Sequence, residues 1–430
     1  EARYGPGLPV AGQYMGRLSD DSERIELQDA AGAVIHSFCY RDNWFRNTDG
    51  LGFSLTVRYP ASALLSAWNT PAAWRPSAAP GGSPGWDDSG VIPGDGAVVI
   101  NELLANPPGG GGDWVELHNT TGRAVDLGGW FLSDNADKLT RYEIAGGTSI
   151  PPNGYLVLTE ERHFGNLRDP GCRDPFGLSR TGETVYLCSG AQGRVTGYRE
   201  QAKFGVSEPG VTLGRYVDSA GRVHYVPLRG ATPGAANADP VVGPVVITEI
   251  MYQAPSPGAI EYVELQNVSD TPVALYDFVQ GSPWRFAGGR GKTGVEFLFP
   301  QDPPIVLGAR AYLLLVKDLK LFESRFGTFS TTQILEWKMG RLEDTGSRIE
   351  LGRPGRPENG IRSWITVDVV EYSDGAHPGN FPGGLDPWPV QARGQGSALT
   401  RVNLDRWGDD PWNWQALAPS PGAARQRPNR

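Results

Sequence analysis

VVINELLANPPGGGGDWVELHNTTGRAVDLGGWFL, residues 98–132, and VVITEIMYQAPSPGAIEYVELQNVSDTPVALYDF, residues 245–278, are two copies of one plan. Each opens on a β-branched run closed by a glutamate, Glu102 or Glu249. A Pro/Gly-rich loop follows, then an aromatic-Val-Glu-Leu-x-Asn strand (Trp114 to Asn119; Tyr262 to Asn267), a turn, and Val-x-Leu. β-branched and aromatic residues suit a pleated, half-buried surface. Matched positions at matched spacing are an internal repeat, and a repeat decides architecture before any single element does.

The second half of the plan recurs as well. Glu183-Thr184-Val185-Tyr186-Leu187 and Ser347-Arg348-Ile349-Glu350-Leu351 alternate apolar with polar residues, and so does Glu23-Arg24-Ile25-Glu26-Leu27 near the start. Ala30-Ala31-Gly32 supplies a hairpin turn between that run and Val34-Ile35-His36-Ser37-Phe38. The units close at Ser83-Pro84-Gly85, Thr232-Pro233-Gly234 and Ser420-Pro421-Gly422. Glu1-Ala2-Arg3-Tyr4-Gly5 matches Glu161-Arg162-His163-Phe164-Gly165 and Glu323-Ser324-Arg325-Phe326-Gly327, which lie in mid-unit. Residues 1–90 therefore read as the second half of a unit, and 95–237 and 243–423 as complete units. The third unit is lengthened by inserts around Gly281 to Gly294 and Asp374 to Gly396, and 424–430 reads as a frayed tail. Short Pro/Gly-rich linkers, Val91 to Gly96 and Ala235 to Gly243, predict a semi-rigid row.

Composition agrees with an all-β chain. Gly 58 and Pro 36 are high, yet Trp 13, Tyr 15 and Phe 15 are too many for a disordered chain and suit many short strands around aromatic cores. A net charge of −9, with no basic stripe, argues against a nucleic-acid groove. No apolar run reaches membrane-spanning length, and no signal peptide precedes Glu1, so the chain reads as a mature or trimmed product.

The ordered set of Glu…aromatic-Val-Glu-Leu-x-Asn, Val125-Asp126-Leu127-Gly128-Gly129-Trp130, and Ile150-Pro151-Pro152-Asn153-Gly154-Tyr155-Leu156-Val157 resembles the lamin-tail domain family. The second unit matches along its whole length. The third departs at Leu275-Tyr276-Asp277-Phe278 and keeps a loose Pro-Gly turn at Pro304 to Gly308; the first matches the second half only. The resemblance implies tandem immunoglobulin-like β-sandwiches, two complete and one half. It also implies an extracellular or cell-surface setting, as in large secreted bacterial proteins where such modules are adhesive or structural. No catalytic residues come with it.

Site candidates are few. Glu102 and Glu249, with Asp20 and Asp21, are candidate calcium ligands. Strand parity places Glu102 with Val98 and Ile100 and turns Glu116 outward, so Glu102/Glu116 and Glu249/Glu264 are not expected to converge, and a structural role is favoured. The Ser19-Asp20-Asp21-Ser22-Glu23 loop lacks Asp-x-Asp-x-Asp-Gly spacing and reads as a solvated turn. Neither His-x-x-x-His nor Cys-x-x-Cys occurs, and Gly109 to Gly112 reads as a flexible loop. Asn119-Thr120-Thr121 and Asn267-Val268-Ser269 are glycosylation sequons, weighed against asparagines that simply favour a turn. Cys172 and Cys188 are a candidate disulfide in an odd set of three, and Cys39 reads as a buried thiol. Trp407, Trp412 and Trp414 form a candidate glycan-stacking face, weighed against aromatic lids over a sandwich end.

The expected function is a non-enzymatic structural or adhesive segment of a larger extracellular bacterial protein, associating with copies of itself. The rival is a carbohydrate- or calcium-binding accessory module of a secreted hydrolase. A half sandwich would expose strand edges and half a core face. An absent segment, a retained partner fragment or a neighbour's strand would complete it.

Overall fold

The computed structural model describes residues 4, 7, 8, 10–58, 60, 65–254, 260–289, 293–358, 360–382 and 384–423. The tail at 424–430, and all of Glu1 to Gly5 except Tyr4, lie outside the described residues.

The first unit is two separate hairpins. β1 (Ser22–Gln28) pairs with β2 (Val34–Arg41), and β3 (Leu55–Val57) with β4 (Trp74–Pro76). Among the described residues neither hairpin joins a larger sheet. Gly197 of the second unit fastens this unit in place: it donates to the Ala78 carbonyl at 3.0 Å, and its own carbonyl accepts from Asn47 at 2.7 Å. A Cβ at Gly197 would stand 2.1 Å from the Ser77 carbonyl oxygen, so only glycine allows that approach.

The second unit is a sandwich. Its elements are β5 (Val98–Leu104), β6 (Trp114–Asn119), β7 (Val125–Asp126), β8 (Phe131–Ser133), β9 (Tyr142–Glu143), β10 (Ser149–Ile150), β11 (Tyr155–Thr159), β12 (Glu183–Ala191), β13 (Arg194–Phe204), β14 (Leu213–Val217) and β15 (Val223–Pro227). One sheet runs β11-β6-β5-β14-β15 and the other β13-β12-β8-β9. Between them Ile100, Leu117, Trp130, Leu132, Val185 and Leu187 close the core.

The third unit repeats this plan with β16 (Val245–Met251), β17 (Tyr262–Asn267), β18 (Val273–Ala274), β19 (Tyr276–Asp277), β20 (Ser282–Pro283), β21 (Arg285–Gly288), β22 (Val295–Leu298), β23 (Val306–Leu307) and β24 (Tyr312–Val316). After helix α1 (Leu319–Phe326) come β25 (Gln333–Glu336), β26 (Gly346–Pro354), β27 (Trp364–Ser373), β28 (Ala398–Arg401) and β29 (Trp414–Leu417). Its sheets run β25-β24-β17-β16-β28-β29 and β22-β21-β26-β27. The chain is thus nearly all β, in immunoglobulin-like sandwiches.

Two features depart from the repeat. Where the second unit has turns at 161–165, the third has α1. Asp318 caps that helix by accepting from the Leu321 N–H at 2.9 Å, and Phe322 and Phe326 pack beside Tyr262 on the outer face of the sheet. β25 then adds to β24 in parallel, which gives this sheet an extra edge strand.

All three units close on the same turn. Proline fixes the second position, glycine takes the left-handed third (φ 86° at Gly85, 83° at Gly234, 71° at Gly422), and the fourth residue donates to the first carbonyl. These are Trp86 to Ser83, Ala235 to Thr232, and Ala423 to Ser420, at 3.2, 3.0 and 3.3 Å.

Candidate functional site

The paired glutamates meet, against the parity argument. β5 opposes β6 in regular register as far as Ile100↔Leu117 and then skips a residue, so that Glu102 faces Glu116 directly. β16 and β17 do the same, placing Glu249 opposite Glu264. One extra residue per strand, Asn101 or Thr248, is a β-bulge, and a bulge reverses parity beyond it. Glu102 and Glu116 are wholly buried, Glu249 and Glu264 nearly so. The bulge residues serve the pair: Asn101 donates to Glu116 at 2.8 Å, and Thr248 Oγ1 bonds Glu264 at 2.7 Å.

The carboxylates clasp the closing turn. Thr232 donates its N–H to both Glu102 oxygens at 3.1 Å and its hydroxyl to Oε2 at 2.7 Å, while the Gly234 N–H reaches Glu116 at 2.5 Å. In the third unit the Ser420 N–H and hydroxyl go to Glu249 at 2.9 and 3.2 Å, and the Gly422 N–H goes to Glu264 at 2.6 Å. Calcium at Glu102 or Glu249 is therefore corrected: the oxygens that would bind it hold N–H and O–H groups instead. Burial pushes the Glu116 carboxyl up, Gly234 and Asn101 pull it back, and the neighbouring Glu102 adds to the rise. Glu249→Ala strips Ser420 of its acceptor and removes the carboxylate 2.7 Å from the Tyr262 hydroxyl. The expected loss is about 1.5–3 kcal/mol, with faster hydrogen exchange at residues 418–423.

Asn119 and Asn267 are equally internal, with no exposed surface. The Asn119 amide donates to the Arg123, Ile150 and Pro151 carbonyls at 2.7 to 3.0 Å, and its oxygen accepts from the Thr121 N–H and hydroxyl. Asn267 treats Thr271, Leu307, Gly308 and Ser269 identically. Glycosylation there is corrected: the sequon pattern is an Asx turn whose second hydroxyl residue bonds the asparagine.

The tryptophans do not form a face. Trp414 is in the third core beside Trp388, and Trp407 packs with Val226, Leu228 and Val369 where the second and third units meet. Of Trp407, Trp412 and Trp414, only Trp412 is exposed, at 77%. The cysteines are corrected too: Cys172 and Cys188 are buried free thiols rather than a disulfide, and Cys39 is exposed rather than buried. Burial pushes the Cys188 thiol up to about 12, which makes it inert. Asp20 and Asp21 lie on an exposed turn, and no cluster of three or more His, Cys, Asp or Glu able to hold a metal occurs among the described residues.

Around Trp407 the two complete units share a charged network. Asp218 bonds Arg222 at 2.7 Å and His224 at 2.9 Å. Both side chains also face Asp409 at 3.6 Å, and Asp409 accepts from the Glu371 N–H at 2.6 Å. The Tyr216 hydroxyl bonds Asp410 at 3.0 Å. Burial pushes the Asp409 carboxyl up to about 6 despite Arg222 and His224. Burial opposes Asp218 as well, yet His224 and Arg222 hold it below the ordinary range.

The signs follow. A carboxyl whose folded pKa is raised binds its proton more readily when folded, so stability grows as pH falls from above 6 toward 4. Asp113, also raised by burial to about 6, and Glu200, to about 7, act in the same direction. Asp218 opposes them below about 4, where the unfolded chain takes up its proton. His118, held low chiefly by burial, opposes them as one group against three when pH falls through the ordinary histidine range. The midpoint temperature should therefore rise between pH 7.5 and 5.5, and Asp409→Asn should flatten part of that slope.

The remaining candidate site is the first unit's inner face. An open cavity of about 800 Å³ is lined by Ile25, Phe38, Tyr40, Phe53, Leu55 and Trp74. Leu27 on the same face is 58% exposed, whereas its equivalents Leu187 and Leu351 are wholly buried. The alternation of Ile25 and Leu27 with Arg24 and Glu26 carried the signal for this surface; the inter-unit network carried none in the sequence.

Residues 93–201 match the family model described as Lamin Tail Domain. That span runs from the linker before β5 into β13, and so takes in most of the second sandwich. No curated protein matches the chain in sequence. No helix among the described residues is long and apolar enough to cross a membrane.

Proposed function

We propose that this chain, with a lamin tail domain at residues 93–201, is a non-enzymatic structural or adhesive segment of a larger extracellular bacterial protein, associating with neighbours of its own kind. The observation that carries the reading is the open inner face of the first unit, where positions that are core in the other two sandwiches face outward. The lamin tail domain is a non-catalytic immunoglobulin-like module. The inter-unit network around Arg222 supports a row that holds its spacing. The accessory-module rival loses its observations, because Trp407 and Trp414 are internal and Glu102 and Glu249 clasp turns.

Sedimentation velocity of the 430-residue chain across concentrations tests the reading. Association that grows with concentration and is weakened by Leu27→Asp supports it. A single species at every concentration, unchanged by that substitution, overturns it.

A further inference from the structure

We infer that the open half of the first unit receives the first half of this same repeat: a strand-bearing segment whose two glutamates, spaced like Glu102 and Glu116, close on Ser83-Pro84-Gly85. The inference rests on the structural reading above and supplies the partner's chemistry.

The two complete sandwiches show what belongs on each free surface. β14 pairs with β5, placing Leu213 opposite Leu103 and Gly214 opposite Glu102. β28 pairs with β16, placing Leu399 opposite Ile250 and Thr400 opposite Glu249. β3 holds the equivalent residues, Leu55 and Thr56, but among the described residues pairs only with β4. β12 pairs with β8, and β26 with β21, on the edge that β1 leaves open. A segment bringing both a β5-like and a β8-like strand satisfies the two edges together and covers Ile25, Leu27 and the cavity between them.

The turn adds chemical specificity. Ser83-Pro84-Gly85 already has the conformation that its counterparts have when clasped, with Gly85 at φ 86°. The Thr232 and Ser420 hydroxyls meet a glutamate, whereas Ser83 leans on the buried Asp88 of its own unit. The Gly234 and Gly422 N–H groups meet the second glutamate. Among the described residues the Gly85 N–H has no such acceptor, and the Leu8 side chain rests against that glycine. An apolar strand without carboxylates would cover the face and leave the turn unclasped, so the occupant carries the acid pair. A second copy presents such a half only by opening one of its own sandwiches, because both of its acid pairs already hold its own closing turns.

The test uses the full chain and, as probe, a polypeptide of residues 95–160, which spans β5 to β11. Isothermal titration should give one probe bound per chain. Probe binding should also suppress any concentration-dependent association of the chain. A probe carrying Glu102→Gln and Glu116→Gln should bind at least tenfold more weakly, and this variant leaves the chain untouched. Leu27→Asp in the chain should abolish binding. No binding, equal binding of the two probes, or binding indifferent to Leu27→Asp overturns the inference. Sedimentation of the chain alone reports separately on the structural reading, so the two can fail independently.

Discussion

Asp368→Ala is expected to lower the stability of the third sandwich by about 3–5 kcal/mol, because it strands a buried charge. Asp368 on β27 and Arg401 at the end of β28 are a buried ion pair, with side-chain exposures of 2% and 0%. Asp368 Oδ2 accepts from Arg401 Nη1 at 2.6 Å and from the Ile247 N–H at 2.8 Å. Arg401 also donates to the Ile247 carbonyl at 3.2 Å and to the Arg406 carbonyl at 2.6 Å. The reason lies in the bulge. Ile247 immediately precedes the extra residue Thr248, so the ladder breaks there, and the pair supplies a donor and an acceptor to its backbone. In the second unit the carbonyl of the equivalent Ile100 takes the Tyr225 hydroxyl at 2.7 Å instead.

Truncating Asp368 leaves a guanidinium buried without its counter-ion, and desolvating an unpaired charge is far costlier than losing a neutral contact. Replacing both members, Asp368→Leu with Arg401→Met, should therefore cost less than Asp368→Ala alone. Denaturant titration, with hydrogen exchange read at residues 245–251, checks both. A single substitution milder than the double would show that water reaches Arg401.

The sandwich plan was legible because alternation of apolar and polar residues is a local property, and because Glu, Asn and the Pro-Gly turn recur at matched places. What escaped depends on one residue or on another unit. Asn101 and Thr248 sit inside β-branched runs, and nothing in Val-Val-Ile-Asn-Glu marks a bulge. Counting by twos therefore sends Glu102 and Glu116 to opposite faces. The recurrence of the glutamates together with the Thr/Ser-Pro-Gly turn was the available signal that they act on one another. Local pattern left Trp407 between a glycan-stacking face and a lid, because the surface that buries it, Val226 and Leu228, belongs to the preceding unit. Helix α1 was readable, with Asp318 as a cap, Phe322 and Phe326 one turn apart, and Gly327 at the end, but the strand-rich context masked it.

Asn119→Ala and Asn267→Ala are each expected to destabilise their own sandwich by about 2–4 kcal/mol, from several buried groups orphaned at once at about 1–3 kcal/mol apiece, offset in part where water enters. In each unit one amide holds a hairpin corner to the strand that follows, Arg123 to Ile150–Pro151 or Thr271 to Leu307–Gly308. Alanine removes the donor from all of these carbonyls and the acceptor from Thr121 or Ser269 together. Aspartate is the sharper comparison. It keeps the acceptor but points a second oxygen at three carbonyls, so at neutral pH Asn267→Asp should be at least as damaging as Asn267→Ala. Protonation would turn that oxygen into a donor, and the aspartate variant alone should regain stability as pH falls below about 5. Intact mass after secretion from a glycosylating host decides the competing reading: an added glycan at Asn119 or Asn267 requires an amide withdrawn from the core, and a folded chain should carry none.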